Sequence, residues 1–381
     1  MMSAGRAARR ERLRAAAIQG LVLAAVAGVA AWFVDNTLGN LAQRGIASGF
    51  GFLDSTAGFA IVVHLIDYSE LSTYGRAFLV GLINTLVVSA VGIVAATVIG
   101  VLVGVARLSD NWLVGRLATV YVETFRNLPL LLQIFFWYFA VLSAMPPPRQ
   151  SHALLGMIFL NNRGLYLPKP LLTTELWLIA AALLAGIVAA ALLRRRLRGS
   201  GSALAWLSLA LGPAAVLAVL TEPIAGWSMP QLRAFSFDGG MVLIPEFVGL
   251  VLGLSFYTGA YIAENVRSGI LAVDKGQREA AAALGLSRGQ MLRLVILPQA
   301  MRVIVPPLTS HYLSLTKNSS LAAAIGYPEL VSVFAGTVLS QTGQAVEVIA
   351  ITMAVYLAIS LAIAGAMSLY NRRVVHIGEG R

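Results

Sequence analysis

Charged side chains are missing from long stretches of this chain, and those stretches set its architecture. Charge-free, mainly apolar runs occupy 15–34, 77–106, 127–148, 176–193, 199–221, 247–263 and 348–371. A helix needs roughly 20 largely apolar residues to cross a bilayer, and these runs reach or approach that length. Two further stretches are ambiguous. Residues 303–316 are apolar but short and contain Pro306 and Pro307, while residues 330–346 are charge-free but rich in Ser, Thr, Gln and Gly. If one of the two spans and the other does not, the pattern predicts an all-α, polytopic membrane protein. It would have about eight transmembrane helices and both termini on one side. Helices fit because a bilayer offers no water, so each span must satisfy its own backbone hydrogen bonds.

Composition narrows the class. Of 381 residues, 58% are hydrophobic and 12% charged, where soluble domains carry about 25% charged residues. Such a chain cannot cover a water-facing surface, which excludes a soluble enzyme, a disordered protein and a secreted disulfide scaffold. Cysteine is absent, so disulfides, thiolate metal sites and cysteine nucleophiles are excluded too. His64, His152, His311 and His376 show no ligand spacing, and no metal site is expected.

The net charge of +11 would point to nucleic acid on a soluble chain. On a membrane chain the positive-inside bias is the first test. With both termini inside, 20 of the 28 Lys and Arg residues fall in 1–14, 107–116, 194–202, 267–302 and 371–381. Seven face the other way: Arg44, Arg76, Arg149, Arg163, Lys169, Arg233 and Lys317. Arg126 sits at or within a span. The asymmetry predicts cytoplasmic termini and calls for no nucleic acid partner. Arg6 to Arg14 followed by an apolar run to Val34 is too long for a signal-peptide core of roughly 7–15 residues, so a retained first span is expected. Gly100 with Gly104, and Gly249 with Gly253, have the spacing that lets helices approach closely.

The stretch 267–300 is long and basic, yet it reads as two ordered helices. Asp274 and Gln277 have capping-box spacing. An alanine-rich helix follows, Arg278-Glu279-Ala280-Ala281-Ala282-Ala283-Leu284, and Gly285 stands where a left-handed cap would fall. Ser287 and Gln290 form a second box, and that helix runs until Pro298 interrupts it. Two readings fit these residues. A stiff alanine face with one charge suits the groove of another protein, and an incidental helix–turn–helix connector fits equally.

A resemblance separates the two. Glu279-Ala280-Ala281, then Gly285, Val295 and Leu297-Pro298 at their spacing, resemble the EAA loop of bacterial ABC importer permeases, with Val295 replacing the usual Ile. Glu123 to Gln133, Ala260 to Ile270, Gly276-Gln277 and Lys317 to Leu321 resemble the polar amino acid uptake permeases, over about 75–145 and 246–373. The extra hydrophobic pair at 174–221 and the long N-terminal extension look like the general L-amino acid subgroup. The resemblance implies a type I importer permease core with extra N-terminal and central spans. Residues 1–75 would hold the basic N-terminus, first span and a periplasmic loop. Residues 76–373 would be the permease domain, interrupted by an insert at about 146–245, and 374–381 a cytoplasmic tail.

It also implies a function: a membrane-spanning subunit that carries L-amino acids across the bacterial inner membrane into the cytoplasm. Glu279, Ala280, Ala281, Gly285, Leu297 and Pro298 would form the coupling loop that docks an ATPase. Expected partners are a second, homologous permease subunit in a heterodimer, two copies of the ATP-binding subunit, a periplasmic amino-acid-binding protein and the lipid bilayer. No cofactor is expected on this chain. ATP and Mg would sit on the partner ATPase, since the sequence has no G-x-x-x-x-G-K-[ST] loop and no Gly-Lys pair. The same resemblance starts the ambiguous span near 301, crossing outward through Pro306-Pro307, and leaves 326–344 periplasmic. The double proline should kink or locally unwind that helix, the alternative being a simple kink filled by neighbours.

Pathway candidates are weighed against plainer roles. Glu123 and Arg126 lie near the cytoplasmic end of their span, and Glu264 and Arg267 in the last turns of another; each pair is three apart and fits a local ion pair as well as a substrate contact. Asn84, Gln133, Tyr261, Asn318 and Ser319 could line the path of an amino acid zwitterion. Asn84, deep in an apolar run, equally fits an interhelical hydrogen bond. An ion-coupled secondary transporter would need acidic residues mid-span, of which there are few, and a membrane-embedded enzyme would need converging catalytic groups.

Overall fold

The computed structural model describes residues 2–43, 48–172, 176–193, 202–221, 224–233 and 235–376. It is 73% helical. The chain divides into two compact units, Met1–Thr119 with Tyr261–Arg381, and Val120–Ala260. Among the described residues, five helical stretches are long and apolar enough to cross a membrane. They are Arg14–Thr37 within α1 (Met2–Gln43), α2 (Tyr74–Ala106), α7 (Pro245–Leu271), Arg288–Ile325 and Ala345–Arg372 within α12 (Ala345–His376). Four of them cover runs expected to span, and Arg288–Ile325 makes the proline-bearing member of the ambiguous pair long enough to cross.

The expected span at 127–148 is corrected. Helix α3 (Trp112–Asn127) begins inside the stretch 107–116, expected as a cytoplasmic loop, and ends at Asn127. The chain then bends by 110° before α4 (Leu130–Phe135), which continues as a π-helix to Leu142. Pro129 causes the break: it lacks an N–H and pushes the residue before it out of helical geometry. Glu123 and Arg126 therefore lie on α3, before the bend, and not at the end of the apolar helix.

Within the first unit, the loop 48–73 folds back on α2 and on the hairpin after residue 326. Phe52 stacks on Phe334 at 6.2 Å, in a cluster with Leu330, Val338 and Val348. Ala57, Ile61, Ala77, Val80 and Val333 form the adjoining cluster. Gly81 makes that contact possible, because a methyl on it would lie 3.1 Å from the Leu330 Cα.

Helix α8 (Lys275–Ala283) is followed by α9 (Arg288–Met291), a π-turn over Leu292–Ile296 and α10 (Leu297–Asn318). Contrary to the expectation from the sequence, Pro298 does not interrupt the helix. The wide π-turn relieves the ring's clash with the preceding carbonyls, and Pro298 takes a first-turn position where no N–H is needed. Pro306 and Pro307 do not unwind α10, which runs unbroken through both. Their fixed φ is already helical, and buried Ile304, Val305 and Leu308 hold the turn in place. A 3-10 stretch (Ser319–Ile325), a π-helix (Val331–Val338) and α11 (Leu339–Thr342) lead into α12.

The second unit adds what the pattern did not predict, a set of short strands. β1 (His152–Leu154), β2 (Ile158–Asn161), β3 (Gly164–Leu167) and β8 (Met241–Leu243) form an antiparallel sheet. β4 (Lys169–Leu172) pairs with β5 (Ile224–Ser228), and β6 (Gln231–Arg233) with β7 (Ser236–Asp238). Strands of three to five residues are too short for alternation to register. Between the strands, α5 (Leu176–Leu193) and α6 (Ser202–Thr221) form the expected hydrophobic pair. They touch at Gly186, where a methyl would meet the Leu209 carbonyl at 2.8 Å. The basic cluster 194–201, Arg44 and residues 377–381 of the expected tail lie outside the described residues.

Candidate functional site

Helix α8 forms as its sequence dictates, with one difference. The Asp274 carboxylate caps it by accepting from Gly276 N at 2.6 Å, but Gln277 makes no reciprocal bond and meets the Gln299 side chain at 3.3 Å. The second box is complete: Gln290 N donates to Ser287 Oγ and Ser287 N to Gln290 Oε1. At the far end of α8, Gly285 adopts φ +74°. Leu286 N donates to Ala281 O at 3.2 Å and Gly285 N to Ala282 O at 2.9 Å, which closes a Schellman cap.

The resulting surface is one-sided. Ala281 is buried, whereas Glu279, Ala280 and Gly285 are exposed and Leu284 is 80% exposed at the tip. Leu297 and Pro298 are exposed as well. Arg278 Nη2 donates to Ile270 O at 2.8 Å and ties α8 to the end of α7.

The pathway candidates fall into separate groups. In the first unit, Asn84 donates to Val63 O and Pro328 O, both at 2.8 Å, so it clamps loop carbonyls in place of a neighbouring helix. Ser319 is buried and donates to Thr316 O at 2.7 Å, and Asn318 ends α10. The Tyr261 ring lies 5.8 Å from that of His311. Glu264 pairs with Arg267 at 2.6 Å, as the spacing allowed, and also with Arg107, which the sequence did not single out. In the second unit, Gln133 donates to Phe125 O and Leu128 O at 2.9 and 3.0 Å, stitching the bend between α3 and α4. Nearby, Phe256 stacks on Phe125 and on Trp137, and its carbonyl accepts from Tyr121 at 2.7 Å. Glu123 is exposed on α3 and Arg126 half-buried.

One residue escaped sequence reading. Glu329 is fully buried, with Val331 N and Ser332 N donating at 2.9 and 2.7 Å and the Tyr356 hydroxyl at 3.1 Å. Burial pushes its carboxyl up to about 7, and these donors pull it back only in part. Beside it Thr85 accepts from Leu330 N at 3.0 Å.

The family model described as "Binding-protein-dependent transport system inner membrane component" matches residues 182–376. The chain is 54% identical to the putative amino-acid ABC transporter permease protein YhdX of Escherichia coli (strain K12), covering 95% of this chain and 94% of that protein. It is 48% identical to the general L-amino acid transport system permease protein AapQ of Rhizobium johnstonii, over 93% and 91%. It is 39% identical to the glutamate/glutamine/aspartate/asparagine transport system permease protein BztB of Rhodobacter capsulatus, over 95% and 94%.

Proposed function

The chain belongs to the family of binding-protein-dependent transport system inner membrane components, and from that premise we propose that it imports a broad range of L-amino acids into the cytoplasm. As an amino-acid ABC transporter permease it is a multi-pass inner-membrane protein. The chain itself performs no hydrolysis in this reading. ATP and Mg sit on two copies of a partner ATPase, a periplasmic binding protein delivers the substrate, and a second permease subunit completes a heterodimer. Both termini face the cytoplasm. The relatives named for general L-amino acids and for four acidic and amide amino acids support breadth.

The observation that carries the coupling reading is the surface of α8. A short capped helix holds out Glu279, Ala280 and a large apolar tip, Leu284, and is bonded to the end of α7 through Arg278. Exposed apolar side chains on a rigid, charge-flanked helix suit a protein groove. ATP binding would close the partner ATPases, α8 would move with them, and the spans would tilt between inward-open and outward-open states.

The test is to make Glu279→Arg and Gly285→Val in the assembled complex. A β-branched side chain at φ +74° costs about 1–3 kcal/mol of local strain, so the second variant distorts the cap without touching the charge. Both are expected to lose ATPase co-purification and amino acid uptake. Intact docking and uptake in both would refute the coupling assignment. Measuring which amino acids stimulate ATP hydrolysis, with the binding protein present, tests breadth.

A further inference from the structure

Just before α8, two elements of the first unit are fastened together. Arg107 caps the C-terminus of α2, its N–H bonded to Val103 O and Val105 O. Its guanidinium reaches Glu264 on α7, and its side chain is only 10% exposed. One carboxylate thus holds two guanidinium groups: Arg267 from its own helix at 2.6 Å and Arg107 from another. A cation at a helix C-terminus is favourable in its own right, and a shielded ion pair is far less weakened by water and salt than an exposed one.

One turn earlier on the same face of α2 lies Gly104. A methyl there would lie 2.7 Å from the Ala263 carbonyl and 2.7 Å from Val266 Cβ. The two helices therefore touch backbone to backbone at residues flanking Glu264. A close crossing limits separation, and an ion pair one turn away limits rotation about it. α7 then passes the constraint on, because Ile270 O accepts from Arg278 of α8.

We propose that Arg107 and Glu264 form a latch that joins α2, α7 and α8 into one lever, so that movement of the docked helix drives the spans. Glu264 is then a positioning residue and not a substrate contact. Arg267 holds the Glu264 carboxylate locally and adds nothing between helices. The proposal rests on α8 being the helix that docks the ATPase.

Four variants of the reconstituted complex test it: Arg107→Gln, Glu264→Gln, Arg267→Gln and the charge exchange Arg107→Glu with Glu264→Arg, the exchange made together with Arg267→Gln so that the guanidinium moved to α7 meets no like charge there. The readouts are uptake of radiolabelled L-glutamate, L-leucine and L-arginine, binding-protein-stimulated ATP hydrolysis, and ATPase co-purification. Arg107→Gln and Glu264→Gln should keep the ATPase bound and hydrolysing while uptake per ATP falls about tenfold, a typical coupling magnitude. Arg267→Gln should leave the ratio unchanged, and the charge exchange should bring it back to within about twofold of the unaltered complex. KM for the three substrates should not shift. The latch is overturned if Arg107→Gln preserves the ratio, if Arg267→Gln lowers it equally, or if the exchange assembles without restoring it. A KM that rises according to substrate charge in Glu264→Gln would make that residue a substrate contact. Loss of co-purification in Glu279→Arg reads the docking assignment separately, so a failed latch and a failed docking surface give different results.

Discussion

A carboxylate without water around it is the sharpest energetic statement in the first unit. Glu329 sits outside the long apolar helices and is fully buried, so desolvation favours its neutral form and lifts its pKa from 4.5 to about 7. A folded-state pKa raised above the unfolded value favours folding at low pH, and that contribution is lost as pH rises through about 7. A shift of this size corresponds to about 3 kcal/mol. The melting temperature of the complex is therefore expected to fall between about pH 4.5 and about pH 7 and to level off above, and Glu329→Gln, which mimics the neutral carboxyl, should flatten that slope and raise stability at the alkaline end. Fluorescence-detected melting across the range checks both; a slope unchanged in the variant would assign the dependence to another group. The sequence did not single out Glu329 because it lies in an irregular segment and its one side-chain donor, Tyr356, comes from another helix far along the chain. Asn84 was legible as a polar group needing a partner. That the partners are the carbonyls of Val63 and Pro328 was not, since both lie in irregular segments without periodicity.

Elements were legible where a single physical rule governs them. The long apolar helices followed from length and hydrophobicity, and the glycine pair Gly249 and Gly253 from spacing. Both glycines face the segment around the π-helix: a methyl on Gly249 would lie 3.3 Å from Tyr138 Cβ, and one on Gly253 2.7 Å from Ile134 Cγ1 and 3.3 Å from its Cα. Gly253→Ala is accordingly expected to destabilise the protein by about 1–3 kcal/mol through overpacking. Gly365→Ala, with nothing within 4 Å, should be neutral or slightly stabilising in α12. Thermal unfolding of the two variants in the same detergent makes the comparison, and equal effects would refute the close approach. Prolines were read less well, because their effect depends on what lies around them. Pro129 breaks a helix by 110° where the chain has a turn to make, while Pro306 and Pro307 sit in an unbroken one. A π-turn can absorb a proline in advance, as at Leu292–Ile296 before Pro298, and no local sequence rule announces it.

At the scale of the whole chain, charge is the remaining source of orientation. Helix length and hydropathy say which segments cross but not in which direction, and the basic residues supply the sign. Two exposed positions carry opposite predictions. Met157 lies in the turn between β1 and β2, within the insert whose basic residues were assigned outside, and Gly289 lies on α9, in the basic stretch assigned inside. The sequence contains no cysteine, so single Met157→Cys and Gly289→Cys proteins carry one thiol each. A membrane-impermeant maleimide applied to intact cells is expected to label the first and spare the second, with the reverse in inside-out vesicles. The wrong sidedness at both positions would invert the topology and place α8 on the face opposite any ATPase. The two thiols falling on the same side would mean that the number of crossings between them differs by an odd number from that assumed, which points to one of α5 and α6, the short apolar helices between the two positions. Adding the ATPase-bearing complex to the same vesicles sharpens the result. If α8 docks as proposed, Gly289→Cys, two residues past its own N-cap and four past Gly285, should lose reactivity when the ATPase is present, while Met157→Cys should not.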